Sequence, residues 1–218
     1  MAGTLQISSG WARGLRLAAP QGEATRPTAA KVRAATLNRF AADLEGARFL
    51  DLFAGSGAMG LEAVSRGARA CVFVEKASPA LSCLRQNLAE ARRRAAAQRL
   101  GEPELTVLPL AVEAALPRLA AHGPFDLVFV DPPYRDVPAL AGPLLAALAS
   151  VTTDGALVAF ESAADDGEAL AEAAAAGGVW TVLKQKAYGV TMVTVLTKNG
   201  GEDDEEAGEA AGDDVANE

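Results

Sequence analysis

Apolar residues along this chain fall into two alternating rhythms. Short, nearly unbroken apolar runs recur at 47–53 (ARFLDLF), 68–76 (ARACVFVEK), 105–110 (LTVLPL), 125–131 (FDLVFVD) and 155–162 (GALVAFES). Runs this short, rich in Val, Leu and Phe, predict strands buried on both faces. Between them lie stretches with helical spacing, at 58–67, 78–100, 112–121, 137–150 and 167–178. Ser78 stands where an N-cap belongs, and Pro117 is expected to break the segment 112–121. Residues 179–198 predict two strands with a turn near Tyr188-Gly189. Upstream, residues 4–19 predict a short hairpin. Thr25 to Phe40 predict a helix with Pro27 in its first turn and Val32, Thr36, Leu37 and Phe40 as its apolar stripe.

Strands alternating with helices predict βαβ units in a parallel sheet, and the closing hairpin adds an antiparallel strand. The expectation is an α/β fold of Rossmann-like type, seven strands, mostly parallel, preceded by a small hairpin-and-helix extension. The boundaries expected are 1–46 for the extension, 47–199 for the α/β domain and 200–218 for an acidic tail.

Charge sharpens that division. The chain of 218 residues carries a net charge of −8, but nine of its 28 acidic residues lie in 201–218, where there is no Lys or Arg. The remaining 19 face 20 basic residues, so the body is close to neutral. Residues 1–48 hold seven basic and three acidic residues. A segment as acidic as the tail has too little apolar surface to offset ordering and is expected to be disordered. No apolar run approaches the ~20 residues needed to span a bilayer. The N-terminus lacks the apolar block of an export signal, so a cytoplasmic protein is expected. Cys71 and Cys83 have no metal-ligand spacing and read as core residues, and no metal is expected.

In open α/β sheets ligands bind beyond the carboxyl ends of the strands. The residues there are Asp51 to Gly57, Glu75, Leu110 to Val112, Asp131 to Tyr134, and Glu161. Within DLFAGSGAMG (51–60), Gly55 and Gly57 permit a sharp turn and close approach of backbone to a ligand. The helix that follows aims its free N–H groups at that ligand. This serves NAD and S-adenosyl-L-methionine alike, as does Glu75, a carboxylate suited to ribose hydroxyls. Asp51 separates the two. A carboxylate there can accept from the ammonium of a methionine moiety, whereas a pyrophosphate would be repelled. The expected cofactor-binding set is Asp51, Phe53, Ala54, Gly55, Ser56, Gly57, Glu75, Lys76, Ala111 and Val112.

Asp131-Pro132-Pro133-Tyr134 follows the fourth apolar run. Two prolines remove two donors and leave a stiff segment rich in acceptors. An exocyclic NH2 fits it: the Asp131 carboxylate and the Pro132 carbonyl can each accept one N–H, which aims the nitrogen lone pair at a methyl donor. Tyr134 offers a face for stacking a base unstacked from its helix. With the upstream D-x-F-x-G-x-G, this tetrad points to an amino methyltransferase.

On QISSGWARGLRL with RPTAAKVRAATLN, LDLFAGSGAMGLEAVSRGA, FVDPPY and KAYGVTMVTVL, the chain resembles the RsmD family of bacterial 16S ribosomal RNA (guanine-N2)-methyltransferases over roughly residues 5–198. The resemblance implies a class I methyltransferase fold, S-adenosyl-L-methionine as donor, Asp131 to Tyr134 as catalytic tetrad, and a guanine of small-subunit rRNA, free or in an assembling subunit, as substrate. Two positions depart from the family: Ala34 replaces an acid, and Leu110-Ala111-Val112 lacks an Asn or Asp beside the adenine. Under this reading Arg13, Arg16, Arg26, Lys31 and Arg33 neutralise RNA phosphates. Trp11 either stacks on RNA or packs the hairpin onto the domain. His122, in a loop, is assigned no role. A monomer is expected. The rival readings are a DNA adenine or cytosine N-methyltransferase, a dehydrogenase supported by the glycine loop alone, and a non-catalytic ribosome-assembly factor.

Overall fold

The computed structural model describes residues 5–20 and 27–200, with side chains from Ala30 onward in the second stretch. Arg26, the start of the helix expected at Thr25, and the acidic tail lie outside the described residues.

The elements alternate as the apolar rhythm predicts: α1 (Pro27–Arg39), β1 (Arg48–Leu52), α2 (Ala58–Ser65), β2 (Ala70–Val74), α3 (Ser78–Ala97), β3 (Glu104–Leu108), α4 (Val112–Leu119), β4 (Phe125–Val130), α5 (Val137–Ala149), β5 (Thr152–Ala163), α6 (Gly167–Ala176), β6 (Trp180–Tyr188) and β7 (Thr191–Lys198). They form one seven-stranded sheet in the order β3-β2-β1-β4-β5-β7-β6. β1 to β5 run parallel, and β7 enters antiparallel between β5 and β6. The apolar runs of β1, β2 and β4 lie between two helical layers and are buried on both faces.

Odd positions of the central strands, among them Phe49, Phe73, Phe129 and Ala159, pack against α2 and α3. Even positions, among them Leu52, Val74, Val130 and Phe160, pack against α4, α5 and α6. Among the described residues no helix is long and apolar enough to cross a membrane.

The N-terminal extension shares the first of these layers. Gln6 pairs with Arg16 across a narrow antiparallel hairpin. Ile7, Leu15 and Leu17 bury into the cluster that holds Phe49. Trp11 donates its indole N–H to the Val64 carbonyl at 3.1 Å, so it packs the hairpin onto α2. Gly10 is obligatory there: at φ +77° its added Cβ would lie 1.6 Å from the Ser65 carbonyl oxygen.

Three local expectations are corrected. Pro117 does not break α4. It sits inside the helix, where its missing N–H forgoes one bond near the C-terminal end. Ser78 is not a cap, because the N-cap position falls on Ala77 and carries no side-chain hydrogen bond. β5 begins at Thr152, not Gly155: a bulge lies between the pairs Phe125–Thr152 and Leu127–Leu157, and Gly155 at φ +75° lets the strand resume.

Candidate active site

The site builds up from the carboxyl ends of β1, β2, β4 and β5. After β1 the chain reverses through three left-handed residues, Phe53 (φ 59°), Gly55 (φ 54°) and Gly57 (φ 77°). Phe53 is not glycine, and holding it there costs about 1–3 kcal/mol that the surrounding contacts must offset. Gly57 has no alternative: its Cβ would stand 2.3 Å from Leu84 Cδ1 of α3.

Carboxylates organise the turn. Glu75 Oε2 accepts the Gly55 N–H at 2.8 Å, and its Oε1 accepts the N–H groups of Lys76 and Ala77 at 2.8 and 2.7 Å. Asp51 Oδ2 accepts the Gly60 N–H in the first turn of α2 at 2.9 Å. Asn87 of α3, which sequence reasoning missed, donates to the Ser56 carbonyl and the Ala18 carbonyl, both at 2.9 Å, and accepts from the Ala18 N–H at 2.8 Å. One buried amide thus ties the glycine loop to the N-terminal extension. A lone Asn in a helix gives no signal of such a role.

On the neighbouring strand ends, Asp131 is exposed, Pro132 is buried, and Tyr134 is half-buried. Tyr134 shares a hydrogen bond of 2.6 Å with the Thr191 hydroxyl at the start of β7. Glu161, two residues before the end of β5, lies one step past the Val130–Phe160 pair, which sets it beside Asp131. Burial pushes the Glu161 carboxyl up to about 9, and the charge of Asp131 adds to the shift. Burial also pushes Asp51 well above the usual carboxylate range. The Gly60 N–H opposes that shift, while the charges of Asp131 and Glu75 reinforce it. The structure therefore gathers Asp51, Glu75, Asp131 and Glu161 into one electrostatically linked group. Such a group suits a ligand bearing positive charge and disfavours a pyrophosphate.

The other expected residues are distributed as follows. Ala54 is buried, Ser56 is half-buried and lends its carbonyl to Asn87, and Lys76 is exposed. Ala111 borders the site at the N-cap of α4, but Val112 turns its side chain into the core between α4 and β2, so it offers no side-chain surface to a ligand. Arg13, Arg16 and Lys31 are exposed. Arg33 is not available to phosphate: it is buried, and its Nε donates to Glu62 Oε2 at 2.9 Å. Arg13 also stands far from the tetrad. Its carbonyl accepts from Arg94, which lies about 24 Å down α3 from the strand carboxyl ends at 1.5 Å per residue. Cys71 is buried and Cys83 half-buried, both as free thiols.

Comparison with known proteins follows the same outline. A family model described as "Conserved hypothetical protein 95" matches residues 5–197. The chain is 32% identical over 200 residues to "Putative rRNA methyltransferase YlbH" of Bacillus subtilis, covering 90% of this chain and 100% of that one. It is 36% identical over 134 residues to "Ribosomal RNA small subunit methyltransferase D" of Escherichia coli, covering 61% of this chain and 62% of that protein. In structure it resembles "Putative methyltransferase yhhF from Escherichia coli", with a TM-score of 0.68, 27% identity, and coverage of 90% and 99%. The sheet order, with its antiparallel β7, is that of the class I methyltransferase fold anticipated from the sequence. On the match across nearly all of its described length, this chain belongs to the Conserved hypothetical protein 95 family.

Proposed function

We propose that this protein transfers a methyl group from S-adenosyl-L-methionine to the exocyclic N2 amine of a guanine in small-subunit (16S) ribosomal RNA. One observation carries the reading: Asp131, opening an acceptor-rich Asp-Pro-Pro-Tyr turn, is electrostatically linked both to Asp51 under the glycine loop and to Glu161. The ribosomal RNA methyltransferase names of the Bacillus subtilis and Escherichia coli relatives support the substrate class.

The residues fit the cofactor by donor chemistry. When bound, S-adenosyl-L-methionine supplies a methyl group on a sulfonium, activated for displacement by an amine nitrogen. Asp51 would meet its ammonium, and a cation there would restore the charge that burial disfavours. Glu75, already holding the Gly55 N–H, would present its remaining lone pairs to the ribose hydroxyls. Phe53 and Ala111 would supply apolar contact for the adenine.

At the tetrad, Asp131 and the Pro132 carbonyl would accept the two N–H bonds of the amine. Its lone pair then points away from the turn toward the cofactor side. Tyr134, its hydroxyl held by Thr191, would stack against the unstacked base. On methylation the amine nitrogen would gain positive charge beside the Asp131 carboxylate. Glu161, kept neutral by burial, leaves that negative charge on Asp131. The proton of the methylated amine departs to water afterwards. On this proposal the protein would act as a cytoplasmic monomer, without a metal or a membrane. Residues 1–46 would serve as an RNA-contacting extension of the catalytic domain at 47–199.

The test is transfer of labelled methyl from S-adenosyl-L-methionine to unmodified small subunits and to naked rRNA, with nucleoside mass analysis. N2-methylguanosine at a single rRNA site is expected. Absence of transfer to either substrate, despite measurable cofactor binding, would overturn the assignment.

A further inference from the structure

The cations that sequence reasoning assigned to RNA lie on the N-terminal extension, yet Arg13 is remote from the tetrad and Arg33 is buried. A further basic surface is tied to the tetrad through the β6–β7 hairpin. Tyr134 holds Thr191 at 2.6 Å, and Thr191 stands opposite Tyr188 across the β6–β7 hairpin. Lys186 sets its ammonium over the Tyr188 ring, 5.2 Å from the centroid. Lys184 lies one strand period further along the same face.

That face is the one on which the chemistry sits. Lys186 and Lys184 pair with Val193 and Val195, and Val193 also pairs with Glu161 beside Asp131. Lys184 and Lys186 are both exposed, and at the hairpin turn Val190 is 78% exposed. The turn is not loose, because the Ala164 N–H donates to the Val190 carbonyl at 2.9 Å. Asp165 and Asp166 flank it on the α6 side, so an anionic strand is favoured over the lysine face and disfavoured over the other.

Lysines on a sheet edge can simply discourage strand pairing between molecules. That role needs neither a ring to orient one of them nor a rigid path to the catalytic tyrosine. We infer that the β6–β7 hairpin is an RNA-docking surface, with Lys184 and Lys186 taking phosphates of the strand that delivers the target base to Tyr134, and Val190 packing on an exposed neighbouring base. The inference rests on the methyltransferase reading above for its direction, and it extends the substrate contacts to a part of the chain distant from the N-terminal extension.

The experiment measures binding of the full chain to unmodified small-subunit rRNA as a function of salt, alongside cofactor affinity and thermal midpoint. The double substitution Lys184→Ala, Lys186→Ala should weaken binding about tenfold and reduce the log–log salt slope by about 1–2. Cofactor affinity and thermal midpoint should not move. Tyr188→Leu should produce part of that loss and Tyr188→Phe none, since phenylalanine keeps the ring under Lys186. An unchanged slope and affinity in the double variant, with a wild type that methylates rRNA, would overturn the hairpin's role and leave the function standing. A reduced slope with a wild type that binds rRNA yet transfers no methyl group would uphold the hairpin and overturn the function.

Discussion

Arg33 of α1 donates to Glu62 of α2 at 2.9 Å, with side-chain exposures of 10% and 0%. Glu62 also accepts from Ser8 of the hairpin and from Arg66 at 2.7 Å. Three segments meet on one buried carboxylate. Burial pushes Glu62 up, but the hydrogen bonds from Ser8, Arg66 and Arg33 outweigh it, and its carboxyl is held below the usual range. Arg33→Ala is therefore expected to destabilise the fold by about 2–4 kcal/mol in urea titration, because it strips one partner from a buried charge. Arg33→Lys should restore only part of that stability, since a lysine cannot reproduce the two-directional contact with Glu62 and the Gln6 carbonyl.

The same node sets an acid limb. A carboxyl held lower in the folded chain than in the unfolded one contributes stability above the usual carboxyl range and loses it as pH falls through the lowered value. Glu62→Gln should flatten that fall in a series of denaturation midpoints taken from neutral pH downward. A midpoint series as steep as the wild type's would assign the acid limb to other groups.

Glu161 has the opposite sign. Its carboxyl is raised from 4.5 to about 9 by burial first and by Asp131 second. Stability tied to it is fully present below its unfolded value and is lost as pH rises toward 9. Glu161→Gln removes that cost and should stabilise the protein at neutral pH by on the order of 1–3 kcal/mol, with a flatter alkaline limb. Thermal melts of the two proteins between pH 5 and pH 9 decide the point.

Asn87→Ala should loosen the glycine loop and the extension together. Its side chain satisfies the Ser56 and Ala18 carbonyls and the Ala18 N–H, none of which alanine can reach. A loss of about 1–3 kcal/mol is expected, with weaker cofactor binding by calorimetry and faster proteolysis within residues 5–20. Weakened cofactor binding without a change in the extension would show the two to be independent.

Asp131→Ala should reduce methyl transfer by roughly a hundredfold or more while leaving cofactor affinity nearly intact. Loss of cofactor binding in this variant would contradict the role assigned. The substitution also removes the second cause of the Glu161 shift, so the alkaline limb attributed to Glu161 should move to lower values.

The order of strands and helices, the glycine turn, and the run Asp131 to Tyr134 were all legible in the chain itself. Apolar periodicity is a local property: a short apolar run rich in Val, Leu and Phe predicts a doubly covered strand, and closely spaced glycines after it permit a sharp turn. Charge, by contrast, misled. Arg33 looks in the sequence like Arg13 or Lys31, one basic residue in a basic segment. Only the approach of α1 to α2, set by long-range packing around Phe40 and Phe49, brings it to Glu62. Asn87 was silent for the same reason, since its partners Ser56 and Ala18 lie 31 and 69 residues away.

The sequence by itself determined which elements form and which residue types end the strands, because burial pattern and turn chemistry act between near neighbours. Tertiary structure alone decided what those residues face. It set Glu161 beside Asp131 by the register of β4 and β5, seated the lysines of β6 on the face that carries Glu161, and turned Arg33 and Val112 inward. Those outcomes depend on pairing between strands and helices far apart in the chain, where desolvation and charge are set by neighbours that no local pattern encodes.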